Sequence, residues 1–362
     1  MKKNFCILLI LTLGSCQVGR YIVYNFAGIK DHKIFPTRNM PAPEQTFYFT
    51  DATQTGKDTF AINSINSDFD NYLEDNKTVA FLIIRNDSLL YEKYFNKYEA
   101  ESIVPSFSMA KSITSLLIGC AIDDGFIQSV DEPVSKYVPE LKEAGFDEVK
   151  ISHVLNMTAG IDIDESYINP FGHAAAIYYG RKLRKQVFKY DLKEQPGNEF
   201  EYTSGTTQLL GLILERALKD EQTITEYFNQ KIWQPLEMEY DGSWSIDKKK
   251  DGMEKTFCCI NARARDYAKI GRLMLNKGNW NGQQIVSKDW VEHSTKIDTT
   301  NGSVSYYQNQ WWIISENEYM AQGILGQYIY VNHEKNIVII RLGKKRGEIN
   351  WWGLFPEISS RL

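Results

Sequence analysis

Ser108-Met109-Ala110-Lys111 places a hydroxyl and an amine three residues apart. On a helix that spacing puts both side chains on one face. A serine hydroxyl is a poor nucleophile at neutral pH, and a nearby amine can take its proton if that amine is itself partly neutral. Burial lowers a lysine pKa by disfavouring the ammonium. The pattern S-x-x-K is common by itself, and Ser245-Ile246-Asp247-Lys248 matches it as well. That second copy lies in a charged stretch without a buried helix and is set aside. Around Ser108 the context differs: an apolar helix carries its only lysine one turn after its first serine.

A nucleophile of this kind needs a partner that shuttles its proton. Tyr202-Thr203-Ser204 is the candidate, in the run from Pro196 to Gly205. Spacing alone does not select it, because Y-x-N occurs at Tyr94, Tyr167, Tyr227 and Tyr307. Tyr202 is distinguished by following a Pro-Gly turn and preceding an apolar helix, which braces a loop residue against a rigid element. A third component would be a strand edge whose backbone N–H faces a developing oxyanion. Ala321-Gln322-Gly323-Ile324-Leu325-Gly326-Gln327 is the candidate, its glycines permitting close backbone approach.

The elements that must hold these residues are legible in outline. Thr78 to Arg85 and Ser88 to Phe95 read as two strands joined by an Asn86-Asp87 turn. Ser108 to Ala121 is apolar around most of a helix, which predicts a buried one, stopped at Asp123-Asp124-Gly125. Helical stretches are expected from Ser204 through Lys219 and over Ala264 to Leu275. Strand character returns at Gln310 to Ser315. A closing hairpin runs from Gly326 to Asn332 and from Asn336 to Leu342 around the turn His333-Glu334-Lys335. Strands at both ends and helices between them predict an α+β fold: one antiparallel sheet built from both termini, flanked by helices, with a helical lobe over about 112–300.

The chain has 362 residues, 43% hydrophobic and 13% aromatic, enough for a large core and contrary to disorder. A net charge of −5 with both signs dispersed excludes a basic nucleic-acid footprint. Lys248-Lys249-Lys250 and Lys344-Lys345-Arg346 read as solvated turns. Neither G-x-S-x-G nor H-E-x-x-H occurs, and the five histidines are scattered, so neither a metal nor a cofactor is expected. His153 reads as structural. Cys120, Cys258 and Cys259 have no paired spacing and read as buried thiols acting as small hydrophobes.

The first residues read as a targeting segment. Lys2 and Lys3 precede an apolar run from Phe5 to Leu13, too short to span a bilayer comfortably. Leu13-Gly14-Ser15-Cys16 resembles a bacterial lipobox, which implies a signal peptide over 1–16 and a lipidated Cys16. An uncleaved anchor from about Asn4 to Gly19 is the alternative. Either places the domain outside the cytoplasm, in a bacterial cell envelope. Residues 17–60 read as a membrane-proximal segment, and 61–362 as the domain itself.

Taken in order, the three chemical components resemble those of the serine β-lactamase-related family: class C β-lactamases, penicillin-binding proteins, and the esterases and aminohexanoate-oligomer hydrolases similar to them. The resemblance extends over most of residues 75 to 355. It is carried also by Asp131-Glu132-Pro133-Val134, Tyr137-Val138-Pro139-Glu140, Ile151 to Gly160 and Ala262 to Leu273. It implies that Ser108 is acylated and that Lys111 and Tyr202 form its base network. Ser204 stands where the family often has Asn, facing Lys111 or substrate. The backbone N–H groups of Ser108 and Ile324, beside Gly323, would form the oxyanion hole.

One departure bears on substrate. Family members that bind a carboxylate often carry Lys or His at the start of the third motif, and Ala321-Gln322-Gly323 supplies no cation. The expectation is therefore a hydrolase of small esters or short linear amides. The rivals are a D-Ala-D-Ala peptidase or β-lactamase, with an Arg reaching in from elsewhere, and a non-catalytic penicillin-binding-like receptor.

Overall fold

The computed structural model describes residues 17–24, 26–53, 68–219 and 221–362. The segment expected to serve in targeting, with Cys16, lies outside the described residues. Among those described, no helix is long and apolar enough to cross a membrane.

The central sheet has eight strands, in the order β10-β11-β12-β13-β14-β3-β4-β2. β3 (Thr78–Arg85) and β4 (Ser88–Tyr94) come from the first third of the chain. β10 (Tyr307–Gln308), β11 (Trp311–Ser315), β12 (Glu318–Gly323), β13 (Gln327–Asn332) and β14 (Ile337–Gly343) come from the last. β14 pairs antiparallel with β3, so the two chain ends meet in mid-sheet as expected. Only β2 (Thr50–Asp51) runs parallel to its neighbour, β4. Asn86 and Asp87 both have positive φ, which gives the β3–β4 connection the twist that a two-residue hairpin requires.

The alternation of side chains along β3 and β14 sorts them between two cores. Ala80, Leu82 and Ile84, with Val338, Ile340 and Leu342, face the large core under the helical lobe. Phe81 and Ile83, with Ile337 and Ile339, face a second core. That second core is closed by the helix Trp351–Arg361, through Trp351, Leu354, Phe355 and Ile358. This helix was not foreseen. Its Pro356 interrupts the helical signal, and its register shows only once the opposite sheet face is known. Each fully buried aliphatic or aromatic side chain contributes about 1.5–3 kcal/mol.

A smaller sheet lies beside the site, in the order β1-β6-β7-β5. It joins β1 (Thr37–Met40) and β5 (Val104–Pro105) to β6 (Gly242–Ser245) and β7 (Ile260–Ala262). A two-stranded hairpin, β8 (Asn279–Trp280) with β9 (Gln283–Gln284), stands apart. Ser245, in the discarded second copy of the serine–lysine pattern, is buried on β6, and Lys248 is exposed.

The cysteine expectation is corrected. Cys258 and Cys259 form a disulfide between adjacent residues, and Cys120 is the free buried thiol among the described residues. Spacing rules assume a loop between paired cysteines and pass over neighbours. Here Cys259 adopts φ 73°, a left-handed conformation that the sequence does not announce.

Candidate active site

The helix Met109–Asp123 is buried at every position from Met109 to Ala121. Its burial explains its lack of amphipathic patterning. It is clamped by polar groups rather than by a face. Ser112 Oγ donates to the Gln310 carbonyl at 2.6 Å, and Thr114 Oγ1 to the Thr256 carbonyl at 2.9 Å. Gln310 also accepts from Thr207 Oγ1 at 2.7 Å and donates to the Leu155 carbonyl at 2.6 Å. One side chain thus ties the lobe helices Ile151–Leu155 and Ser204–Ala217 to the start of β11.

Ser108 is the residue before this helix, and Phe107 ahead of it has φ 45°. That turn follows directly from β5. The Ser106 N–H donates to the Ile260 carbonyl at 2.7 Å, and the Ile260 N–H to Ser106 Oγ at 3.1 Å. Strand pairing and strained turn together set the serine at the helix N-terminus, where the helix dipole favours developing negative charge.

Lys111 is 1% exposed. Its Nζ lies 3.0 Å from Ser108 Oγ, 3.1 Å from Ser204 Oγ and 3.1 Å from the Phe257 carbonyl. Burial pushes the Lys111 pKa down to about 8, partly offset by the Glu165 carboxylate. Tyr202 lines the same cleft as Ser108, and burial raises its phenol well above the ordinary value. The Tyr202 ring lies edge-on to Tyr307 at 5.7 Å, and Lys111 Nζ is 5.2 Å from the ring centroid. The structure therefore brings Ser108, Lys111, Tyr202 and Ser204 together from two distant helices.

Glu165 was not among the expected residues. It accepts from the Ser204 N–H at 2.9 Å, from Ser204 Oγ at 2.5 Å and from the Tyr167 hydroxyl at 2.8 Å. Its loop is organised by Asp164, which accepts from the Ser166 N–H and from Asn169 Nδ2. The only sequence signal was an acidic cluster, Asp162 to Glu165, just past the Ile151–Gly160 stretch, and no spacing rule links it to Ser204.

The third component spans the end of β12 and the turn into the closing hairpin β13–β14. Gly323 closes β12 beside the serine: a Cβ there would lie 2.6 Å from the Ser106 carbonyl and 3.1 Å from the Ser108 nitrogen. Leu325 and Gly326 have positive φ, and the chain reverses there into β13. The turn is held from beneath by buried Arg341, whose guanidinium donates to the Leu325 and Gly326 carbonyls at 2.9 and 2.6 Å. The same guanidinium lies 4.5 Å from the Trp351 ring centroid.

Two arms of the cleft meet at Ser108. One, of about 230 Å³, is lined almost wholly by apolar groups, among them Phe26, Phe107, Tyr178 and Phe257. The other, of about 270 Å³, contains Tyr202, Trp312, Gln322 and Arg346. Ile324 and Tyr167 border both. Arg346, just beyond β14, supplies a cation that the third motif itself lacks. Among the described residues, no cluster of His, Cys, Asp and Glu could hold a metal ion.

Residues 65–349 match the beta-lactamase family. The chain belongs to that family. A 6-aminohexanoate-dimer hydrolase of Paenarthrobacter ureafaciens is 29% identical over 299 residues, covering 76% of this chain and 74% of the relative. A solved Bacillus anthracis protein assigned as a 6-aminohexanoate-dimer hydrolase superposes with a TM-score of 0.79 at 24% identity, over 94% of this chain and 92% of that one. A family VIII carboxylesterase superposes with a TM-score of 0.65 at 14% identity, over 88% and 98%. The family is one of hydrolases, and the solved structures share the α+β fold of this chain.

Proposed function

We propose that the protein is a serine hydrolase of esters or short amides that works through an acyl-enzyme on Ser108. The observation that carries this reading is the coordination of Lys111 Nζ. As an ammonium it donates to all three neighbours, Ser108 Oγ, Ser204 Oγ and the Phe257 carbonyl; the last two can only accept from it, since the Ser204 hydroxyl gives its own hydrogen to Glu165. When Lys111 is neutral, its two N–H bonds are directed at those acceptors. Its lone pair is then left facing Ser108 Oγ at 3.0 Å, the geometry of a general base.

In this reading, Ser108 Oγ attacks the carbonyl carbon while its proton passes to Lys111. The oxyanion is met by the N–H groups of Ser108 and Ile324, each such donor typically worth about 10²–10³ in rate. Tyr202, kept protonated by its burial, gives a proton to the leaving group as the C–O or C–N bond breaks, and Lys111 passes the proton it took from Ser108 to the Tyr202 oxygen. Because Tyr202 lines the polar arm, the leaving group occupies that arm and the acyl group the apolar one. Water then attacks the acyl-enzyme by the reverse proton path. Lipidation of Cys16, holding the enzyme at a membrane in the cell envelope, is part of the same proposal.

The test is intact mass of the chain before and after a fluorophosphonate probe, beside turnover of a short-chain nitrophenyl ester. One adduct at Ser108, with both adduct and turnover absent from a folded Ser108→Ala variant, is the expected result. Turnover retained in that variant refutes the assignment.

A further inference from the structure

The apolar arm is walled by the part of the chain that follows Cys16. The helix Gln17–Tyr24 packs beside the helix His173–Tyr179. Gln17 Nε2 donates to the Pro170 carbonyl at 3.4 Å, and the Tyr21 hydroxyl to the Tyr167 carbonyl at 3.0 Å. Tyr21 and Phe26 from this segment, with Tyr167 from the other, line the arm directly. Around them stand further apolar side chains that face solvent. Ile22, Val23, Ile168 and Phe171 are 68%, 69%, 75% and 77% exposed. Soluble surfaces tolerate single exposed hydrophobes, but a contiguous collar of this kind marks a binding face.

The occupant is indicated by where the chain goes. Gln17, seated on Pro170 at the edge of the collar, directly follows the apolar run Phe5 to Leu13 and Cys16. With either a lipid on Cys16 or the apolar run retained, the proposed attachment to the bilayer lies within four residues of Gln17. An apolar face held that close to a membrane gains by entering it, each buried CH₂ contributing about 0.8 kcal/mol.

We propose that this collar rests in the lipid surface, with the apolar arm opening into it, so that the acyl group of an amphiphilic ester or amide reaches Ser108 from the lipid phase. The docking rests on the collar and on the proposed attachment at Cys16. The substrate class rests on the reading of Ser108 as the acylated nucleophile.

The experiment uses the full chain reconstituted in vesicles of phosphatidylethanolamine and phosphatidylglycerol. An environment-sensitive fluorophore is placed at Phe171→Cys, with Glu334→Cys, past the far end of β12 and β13, as reference and the parent chain as background. Brominated acyl chains should quench the label at 171 several-fold more than the label at 334. Hydrolysis of a water-soluble nitrophenyl acetate and of a vesicle-borne long-chain nitrophenyl ester is followed in parallel. The triple variant Ile22→Ser, Ile168→Ser, Phe171→Ser should keep the soluble rate within about twofold and lose about tenfold on the vesicle-borne ester. Retained soluble turnover also certifies its folding. Equal quenching at both positions overturns the docking. So does a concentration-dependent blue shift without vesicles, which would mean that a second copy covers the collar. Quenching at 171 with no turnover of either ester leaves the docking standing and refutes the nucleophile reading instead.

Discussion

The ammonium of Lys111 and the carboxylate of Glu165 are joined through a single hydroxyl. Lys111 Nζ donates to Ser204 Oγ at 3.1 Å, and Ser204 Oγ donates in turn to Glu165 Oε1 at 2.5 Å. The carboxylate therefore stabilises the charged lysine without touching it, and works against the burial that would neutralise it.

The pH dependence of the reaction follows from this pair. Lys111 must be neutral to accept the Ser108 proton, and its pKa lies at about 8. kcat/KM should rise with pH up to about 8 and fall about tenfold per unit below it. In Glu165→Gln the charge that raises the lysine pKa is gone, while the amide carbonyl can still accept from Ser204. The acid limb should move to lower pH. A limb that stays or moves upward in a pH–rate profile of the variant would contradict the assignment of Lys111 as base.

Gly323 has no room for a side chain. An added Cβ would meet the Ser106 carbonyl at 2.6 Å and the Ser108 nitrogen at 3.1 Å. Gly323→Ala should push the end of β12 away from the serine and lower kcat by about 10²-fold, as removal of an oxyanion donor does. Overpacking should cost about 1–3 kcal/mol in stability, read from denaturant unfolding. A variant with unchanged kcat would remove this strand end from the oxyanion site.

Arg346 lines the polar arm and is exposed at its rim. Arg346→Ala should raise KM about five- to tenfold for a substrate whose leaving group carries a free carboxylate, and leave a neutral ester unchanged. Equal effects on both substrates would mean that the guanidinium shapes the arm and does not read charge.

The disulfide between Cys258 and Cys259 follows directly on Phe257, whose carbonyl accepts from Lys111. Reduction should free that segment and loosen one of the two acceptors that aim the lysine lone pair. Activity should fall several-fold with dithiothreitol and recover on reoxidation. A Cys258→Ser, Cys259→Ser variant should be indifferent to reductant. Alkylation of the native chain should add groups at these two positions only after reduction. Wild-type activity unmoved by reduction would show that the disulfide does not support the site.

Local pattern carried much of this protein by itself. β-branched runs flanked by turn residues located β3, β4, β13 and β14, because strand alternation and two-residue turns are properties of short windows. An apolar stretch with one lysine a turn from its first serine marked the Met109–Asp123 helix, because a buried cation requires a reason. The tertiary structure alone decided the rest. Glu165, Arg341 and Arg346 come from loops and strands far along the chain, and only the packing of lobe on sheet shows which polar groups they meet. The pairing of Cys258 with Cys259 depends on one left-handed backbone angle. The collar around the apolar arm is made where two segments about 145 residues apart touch, as in the hydrogen bond from Tyr21 to Tyr167. Residue type fixes what a side chain can do, but which groups share a desolvated site is set by long-range contacts that no local window contains.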